Sequence, residues 1–301
     1  MMTVQEIRQV LESSAYTDVH IHTHLCDGQP EMTVANITQK AKEQGIGAVV
    51  LTPHWHKQVS DETETLYEDS KVDMLLALRD EIDDYQRTDG SVKVLLSTEV
   101  DILSVDGTTA LTPSPEFENM VDLITLTMNY NPILPLCCVH LTYGKDVNGL
   151  HESGDYARME ATAGGKVKVL EAMYEAQANA ILRAPYPCML GHFLAAHSRH
   201  PDKYSWFEAG EEHLPILKAG AEKVIAACAE KNAMLDLTGI HLKGKTAREK
   251  AESNGFLFPF QQYVVEACRK HGVAAYPGSD SHRLKKIGAD MAYYDLLLKS
   301  V

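Results

Sequence analysis

Short apolar runs alternate along the chain with longer stretches whose apolar positions recur at helical spacing. The runs are "TDVHIH" from Thr17, "IGAVVLTPH" from Ile46, "SVKVLLSTEVDI" from Ser91, "MVDLITLTM" from Met120, "YPCMLGHF" from Tyr186, "AMLDLTGIH" from Ala233 and "VAAYPGSDSH" from Val273. Each has the length of a strand, and most are rich in β-branched residues. Between them lie helical patterns from about Thr33 to Gln44, Glu62 to Tyr85 (apolar at Val72, Leu75, Leu76 and Leu78) and Asp155 to Leu182. Further ones follow in "LPILKAGAEKVIAACAEKN" and "FPFQQYVVEACRKHG", and a last helix runs to the C-terminus. Strand–helix alternation of this kind predicts an α/β fold with a mainly parallel sheet and helical crossovers. No low-complexity linker or internal repeat divides residues 1–301, so a single domain is expected.

Polar residues interrupt this pattern at one recurring place. Alternation in "TDVHIH" predicts Asp18, His20 and His22 on one face of the strand, with Val19 and Ile21 on the other. His54 follows "AVVLTP", Glu99 ends "VKVLLSTE", His192 ends "CMLGH", and Asp280 and His282 follow "VAAYPGS". Metal-ligating residue types therefore stand at or just past the C-terminal ends of several strands. In a β/α barrel those ends form one face, which carries the active site. Imidazole and carboxylate without cysteine is the donor set of catalytic zinc, manganese or iron, not of a closed structural zinc site.

Composition narrows the partners. The formal net charge is −14, which disfavours nucleic acid or an anionic membrane surface as main partner. A small anionic ligand stays compatible, since bound cations reverse the local field. The chain contains no apolar run long enough to span a bilayer, and its opening "MMTVQEIRQVLESSAYTD" has neither the basic nor the apolar region of a signal peptide. Six cysteines without framework spacing, two of them adjacent at 137 and 138, fit reduced thiols in a cytoplasmic protein.

These segments resemble the motifs of the PHP (polymerase and histidinol phosphatase) superfamily of metal-dependent phosphoesterases. "DVHIHTHLCDG", "LTPH", "STEVDI", "LGHF" and "PGSDSH" stand in the family's order and span residues 18 to 282. The resemblance implies a distorted (β/α)7 TIM-like barrel holding two or three divalent ions (Zn, Mn or Fe). It implies that His20, His22, Glu99 and Asp280 hold the first ion. Glu99 would bridge to a second, shared with His192 and a mid-chain histidine, and Asp27, His54 and His282 would hold the third. For the mid-chain ligand His140, in "VHLTYG", is preferred with an insertion before it. Asn129 occupies the position by simple count from Glu99, and would leave the second ion weakly held.

The implied chemistry is hydrolysis of a small-molecule phosphate ester, a phosphomonoester such as histidinol phosphate or a nucleotide, or a cyclic phosphodiester. The attacking group would be hydroxide made at neutral pH between the ions, with Glu99, Asp280 and His282 at the reacting centre and the ions offsetting phosphoryl charge. Asp18 would orient the ligand histidines or bond to backbone. Arg283 is a candidate phosphate fork or else a solvated surface residue. His197, His241 and His24 are candidate leaving-group acids. Histidinol-phosphate phosphatases are the nearest resemblance within the family, but "LDLTGIHLKG" lacks the arginine they show there, and Lys243 would replace it as a point charge. Two other readings stay open: a non-catalytic metal-binding regulatory barrel, and hydrolysis of an amide or other C–N bond by the same metal site.

Overall fold

The computed structural model describes residues 1–26, 28–55, 67–111, 115–128, 139–140, 145–146, 160–194, 210–238 and 246–301, with backbone alone for 67–71, 139–140 and 145–146. The expected strands appear as β1 (Thr17–Ile21), β2 (Ala48–Leu51), β3 (His54–Trp55), β4 (Lys93–Leu96), β5 (Glu99–Asp101) and β6 (Ile124–Thr127). They continue as β9 (Cys188–Leu190), β10 (Met234–Asp236) and β11 (Ala275–Tyr276); β7 (Val139–His140) and β8 (Lys145–Asp146) pair with each other, antiparallel. Two predicted strands are each split. Pro53 cannot donate to the ladder, so β2 ends at Leu51 and β3 begins at His54. Its neighbour breaks in register, between Leu96 and Glu99.

Counting β2 with β3 and β4 with β5 as continuous positions, and setting the β7–β8 pair aside, every neighbouring pair is parallel. Hydrogen bonds then return from the last position to the first. The Val19 amide donates to the Pro277 carbonyl at 3.1 Å and the His22 amide to that of Ser281 at 3.0 Å, beside a parallel bridge between Ile21 and Ser281. Helices Val34–Glu43, Tyr67–Thr88, Pro115–Met120, Lys166–Arg183, Leu214–Lys231 and Leu257–His271 fill the crossovers. The fold is α/β, with the parallel strands of a TIM-like barrel. No described helix is long and apolar enough to cross a membrane.

Two apolar clusters hold this architecture. The larger lies between strands and helices. The smaller gathers Val19, Ala48, Val50, Leu95, Leu123, Met189, Met234 and Tyr276, drawn from around the strand ring, with Ile7 and Leu11 of helix Val4–Glu12. That helix starts on a capping box between Thr3 and Glu6 and is pinned by the Tyr276 hydroxyl, which donates to Glu12 at 3.1 Å. Ala48, Leu123 and Met234 stand at or before the start of their strands. The helix therefore plugs the N-terminal end of the ring, and the C-terminal end is left for chemistry.

Strict alternation in β1 does not hold. The pairing with β2 slips between Asp18 and Ile21, the signature of a bulge. Val19 consequently packs in the inner cluster and Ile21, two residues on, in the outer one. Asp18 is thereby separated in role from His20 and His22. Its carboxylate accepts the amides of Ser279 at 2.8 Å and Gly288 at 3.0 Å, tying β1 to the loop after β11. Burial pushes this carboxyl up to about 6, partly offset by those bonds.

Candidate metal centre

Glu99 opens β5 in register with His54 of β3 and is fully buried. Both of its oxygens face imidazoles. Oε2 lies 3.1 Å from His54 Nδ1, 3.4 Å from His20 Nε2 and 3.5 Å from His22 Nε2. Oε1 lies 3.1 Å from His192 Nε2. A carboxylate with different nitrogens on its two oxygens has the form of a bridge between two ligand positions.

Asp280 closes the other side. Its Oδ1 is 3.0 Å from His22 Nε2 and 3.8 Å from both His20 Nε2 and His282 Nδ1. The His282 ring stacks on His22 with centroids 4.0 Å apart, and His192 stacks on His20 at 4.6 Å. Among the described residues, four groups of donor atoms each lie within 4.8 Å of one another: His20–His22–Glu99, His20–His192–Asp280, His22–Asp280–His282 and His22–Cys26–His54. The structure thus gathers His20, His22, His54, Glu99, His192, Asp280 and His282 in one place. Asp27, Asn129, His197, His241 and Lys243 lie outside the described residues, as does the side chain of His140. Arg283 is exposed next to His282. His24 is held at the rim by the Met32 carbonyl and by Glu81, each 3.3 Å from a ring nitrogen.

Backbone geometry around the site is constrained. His192 and Asp280 have φ of 42° and 50°, a left-handed conformation that costs a side-chain-bearing residue about 1–3 kcal/mol and persists only where surroundings enforce it. Gly278, just before Asp280, is there for lack of room: a Cβ would collide with Thr238 Oγ1 and come within 2.9 Å of Asp236 and of His20 Cβ.

Asp236, at the end of β10, was not among the residues the sequence pattern singled out. Its Oδ2 lies 2.9 Å from His20 Nδ1 and also accepts the His192 amide at 3.2 Å. Oδ1 is held by the Thr238 amide at 2.6 Å and by the Thr238 hydroxyl. A proton on His20 Nδ1 donated to Asp236 leaves the Nε2 lone pair facing Glu99 and Asp280. This carboxylate–imidazole arrangement is what orients metal-binding histidines. The available signal was the strand-end aspartate in "MLDLTG".

The electrostatics favour a cation. Burial would lower the basicity of His20, yet its hydrogen bonds to Asp236 and Glu99 hold it well above the ordinary imidazole range. Burial would raise Glu99 and Asp280, yet the facing imidazoles hold both well below the ordinary carboxylate range. A buried set of imidazole and carboxylate donors that draws positive charge fits divalent ions with nitrogen and oxygen ligands.

The chain matches no family model and no curated protein. Solved structures share its fold. The putative histidinol phosphatase of Listeria monocytogenes aligns with a TM-score of 0.60 at 15% identity, covering 92% of this chain and 99% of that one. The histidinol phosphate phosphatase of Lactococcus lactis subsp. lactis, solved with zinc, L-histidinol and phosphate, aligns with a TM-score of 0.53 at 14% identity, covering 95% and 93%. At such identities the likeness is one of fold.

Proposed function

We propose that this chain is a PHP-type, metal-dependent phosphoesterase acting on a small phosphorylated molecule. The observation that carries the proposal is the convergence of five imidazoles (His20, His22, His54, His192, His282) on Glu99 and Asp280 at the strand C-termini. The shared fold adds support, because a neighbour of this architecture binds zinc and phosphate together.

His20, His22, Glu99 and Asp280 would hold one ion, Glu99 and His192 a second, and His54 and His282 a third, with Asp27 and His140 as the remaining proposed ligands. Divalent ions held there would lower the pKa of a bound water to about 7 and offset phosphoryl charge. The protein's own residues do the positioning. Asp236 fixes the His20 tautomer, the left-handed turns at His192 and Asp280 aim their side chains inward, and Asp18 locks the β11–β1 junction on which His20, His22 and Asp280 depend. Burial of Glu99 and His20 excludes bulk water, which strengthens every charge interaction in the site.

Arg283, exposed beside His282, is the proposed phosphate contact within the described residues; Lys243, His241 and His197 are proposed for the substrate side of the pocket. A screen of phosphomonoesters (including histidinol phosphate and nucleotides), cyclic phosphodiesters and amides, with zinc- or manganese-loaded protein, tests the reading. Phosphate-ester hydrolysis lost on chelation is expected. Amide hydrolysis alone, or no turnover by metal-loaded protein, would overturn it.

A further inference from the structure

Cys26 lies outside the nitrogen and oxygen donor set discussed so far, yet the fold brings its sulfur into that set. The chain turns directly after β1: the Cys26 and Gly28 amides both donate to the Thr23 carbonyl, at 3.1 and 3.0 Å. The same turn is fastened to the far side of the site by the Gln29 amide, which donates to the His282 carbonyl at 2.9 Å. This fold-back carries the Cys26 Sγ to the start of β3, where it accepts the His54 amide at 3.3 Å. Its sulfur and one ring nitrogen each of His22 and His54 then lie within 4.8 Å of one another. The His22 and His54 rings are themselves in contact, with centroids 4.4 Å apart.

We propose that Cys26 is a thiolate ligand to the ion assigned above to His54, at a position that the His22 ring also faces while His22 stays on the first ion, so that one position of the centre is a mixed sulfur–nitrogen site. The proposal rests on the metal-centre reading above and deepens it. Binding exchanges the thiol proton, released to solvent, for a sulfur–metal bond. Soft thiolate beside imidazole selects zinc and cobalt over manganese, whereas an all-oxygen-and-nitrogen position accepts all three. The position formed by Cys26 would therefore discriminate among metals that the Glu99–Asp280 positions do not. Asp27, the next residue along, is the hard ligand that would otherwise serve this ion.

Cobalt substitution tests this directly. Cobalt-loaded wild-type protein should show near-ultraviolet thiolate-to-cobalt charge-transfer absorption. Cys26→Ser should lose that absorption while keeping the visible bands and cobalt content of the other positions. On wild-type protein, zinc should slow iodoacetamide alkylation of Cys26, located by peptide mass, at least about tenfold, since a coordinated thiolate is a poor nucleophile. Cobalt bound without the absorption, absorption unchanged in Cys26→Ser, or alkylation indifferent to zinc would each overturn the thiolate assignment. If phosphate esters are still hydrolysed in those cases, the phosphoesterase reading survives alone. A chain that takes up no cobalt at all overturns both.

Discussion

Glu99 is the residue on which the geometry turns, because its two oxygens face different histidines from full burial. Glu99→Gln keeps the shape and removes the charge. Its activity should fall at least about 10³-fold, roughly 4 kcal/mol of transition-state stabilisation, and bound metal should fall with it by elemental analysis. Near-normal turnover and metal content would remove Glu99 from the bridging role. Asp236→Ala is the companion test. It deletes the group that fixes His20 and should weaken metal affinity about 10- to 100-fold, read by competition with a metal-chelating dye. His20 and His22 were legible in the sequence through the alternation of "TDVHIH", and His54, Glu99, His192, Asp280 and His282 because each ends or follows a strand-like run. Asp236 obeyed the same rule but stood alone in its segment, and its partner His20 is 216 positions away. Cys26 was illegible for another reason: it sits in a turn, where no periodicity tells which way a side chain points.

At the scale of elements, several helices fall where apolar periodicity places them, but the helix expected over about Asp155 to Leu182 is interrupted at Gly164 and Gly165, both at positive φ, and resumes as Lys166–Arg183. Helix Val34–Glu43, capped by Thr33, and helix Leu214–Lys231, ended by left-handed Asn232, fall where the sequence places them. The bulge in β1 could not be read from β1. From Asp18 on, its polar and apolar residues alternate without a break, and all five of its residues are buried, so nothing within the segment reveals the slip, which is set by pairing with β2. Helix Val4–Glu12 offers the sharpest test at this scale, since it packs Ile7 and Leu11 into the inner cluster far from the candidate site. Leu11→Ala should destabilise by about 2–5 kcal/mol, measured by urea unfolding, with metal stoichiometry of the folded protein unchanged. Loss of metal without loss of stability would contradict the separation between plug and site.

For the molecule as a whole, metal binding and stability should be linked through His20. Its basicity in the metal-free protein is held well above the ordinary range, against burial, by Asp236 and Glu99. A group whose folded pKa is raised stabilises fully below its unfolded value, near about 6.5 for imidazole, and that contribution disappears as pH rises through the folded value. The thermal midpoint of metal-free protein should therefore drop as pH climbs above the imidazole range. Metal-loaded protein, in which an ion replaces the proton, should hold its midpoint there and lose metal as pH falls, because protons compete for the ligands. Parallel pH profiles for the two forms would refute this linkage.

Elemental analysis of protein purified without chelator, and again after reloading with zinc, addresses the claim beneath all of these, that the strand ends form a multi-ion centre. The donor groups around Glu99 and Asp280 predict two or three equivalents per chain. A folded protein holding well under one equivalent after reloading would contradict the centre itself.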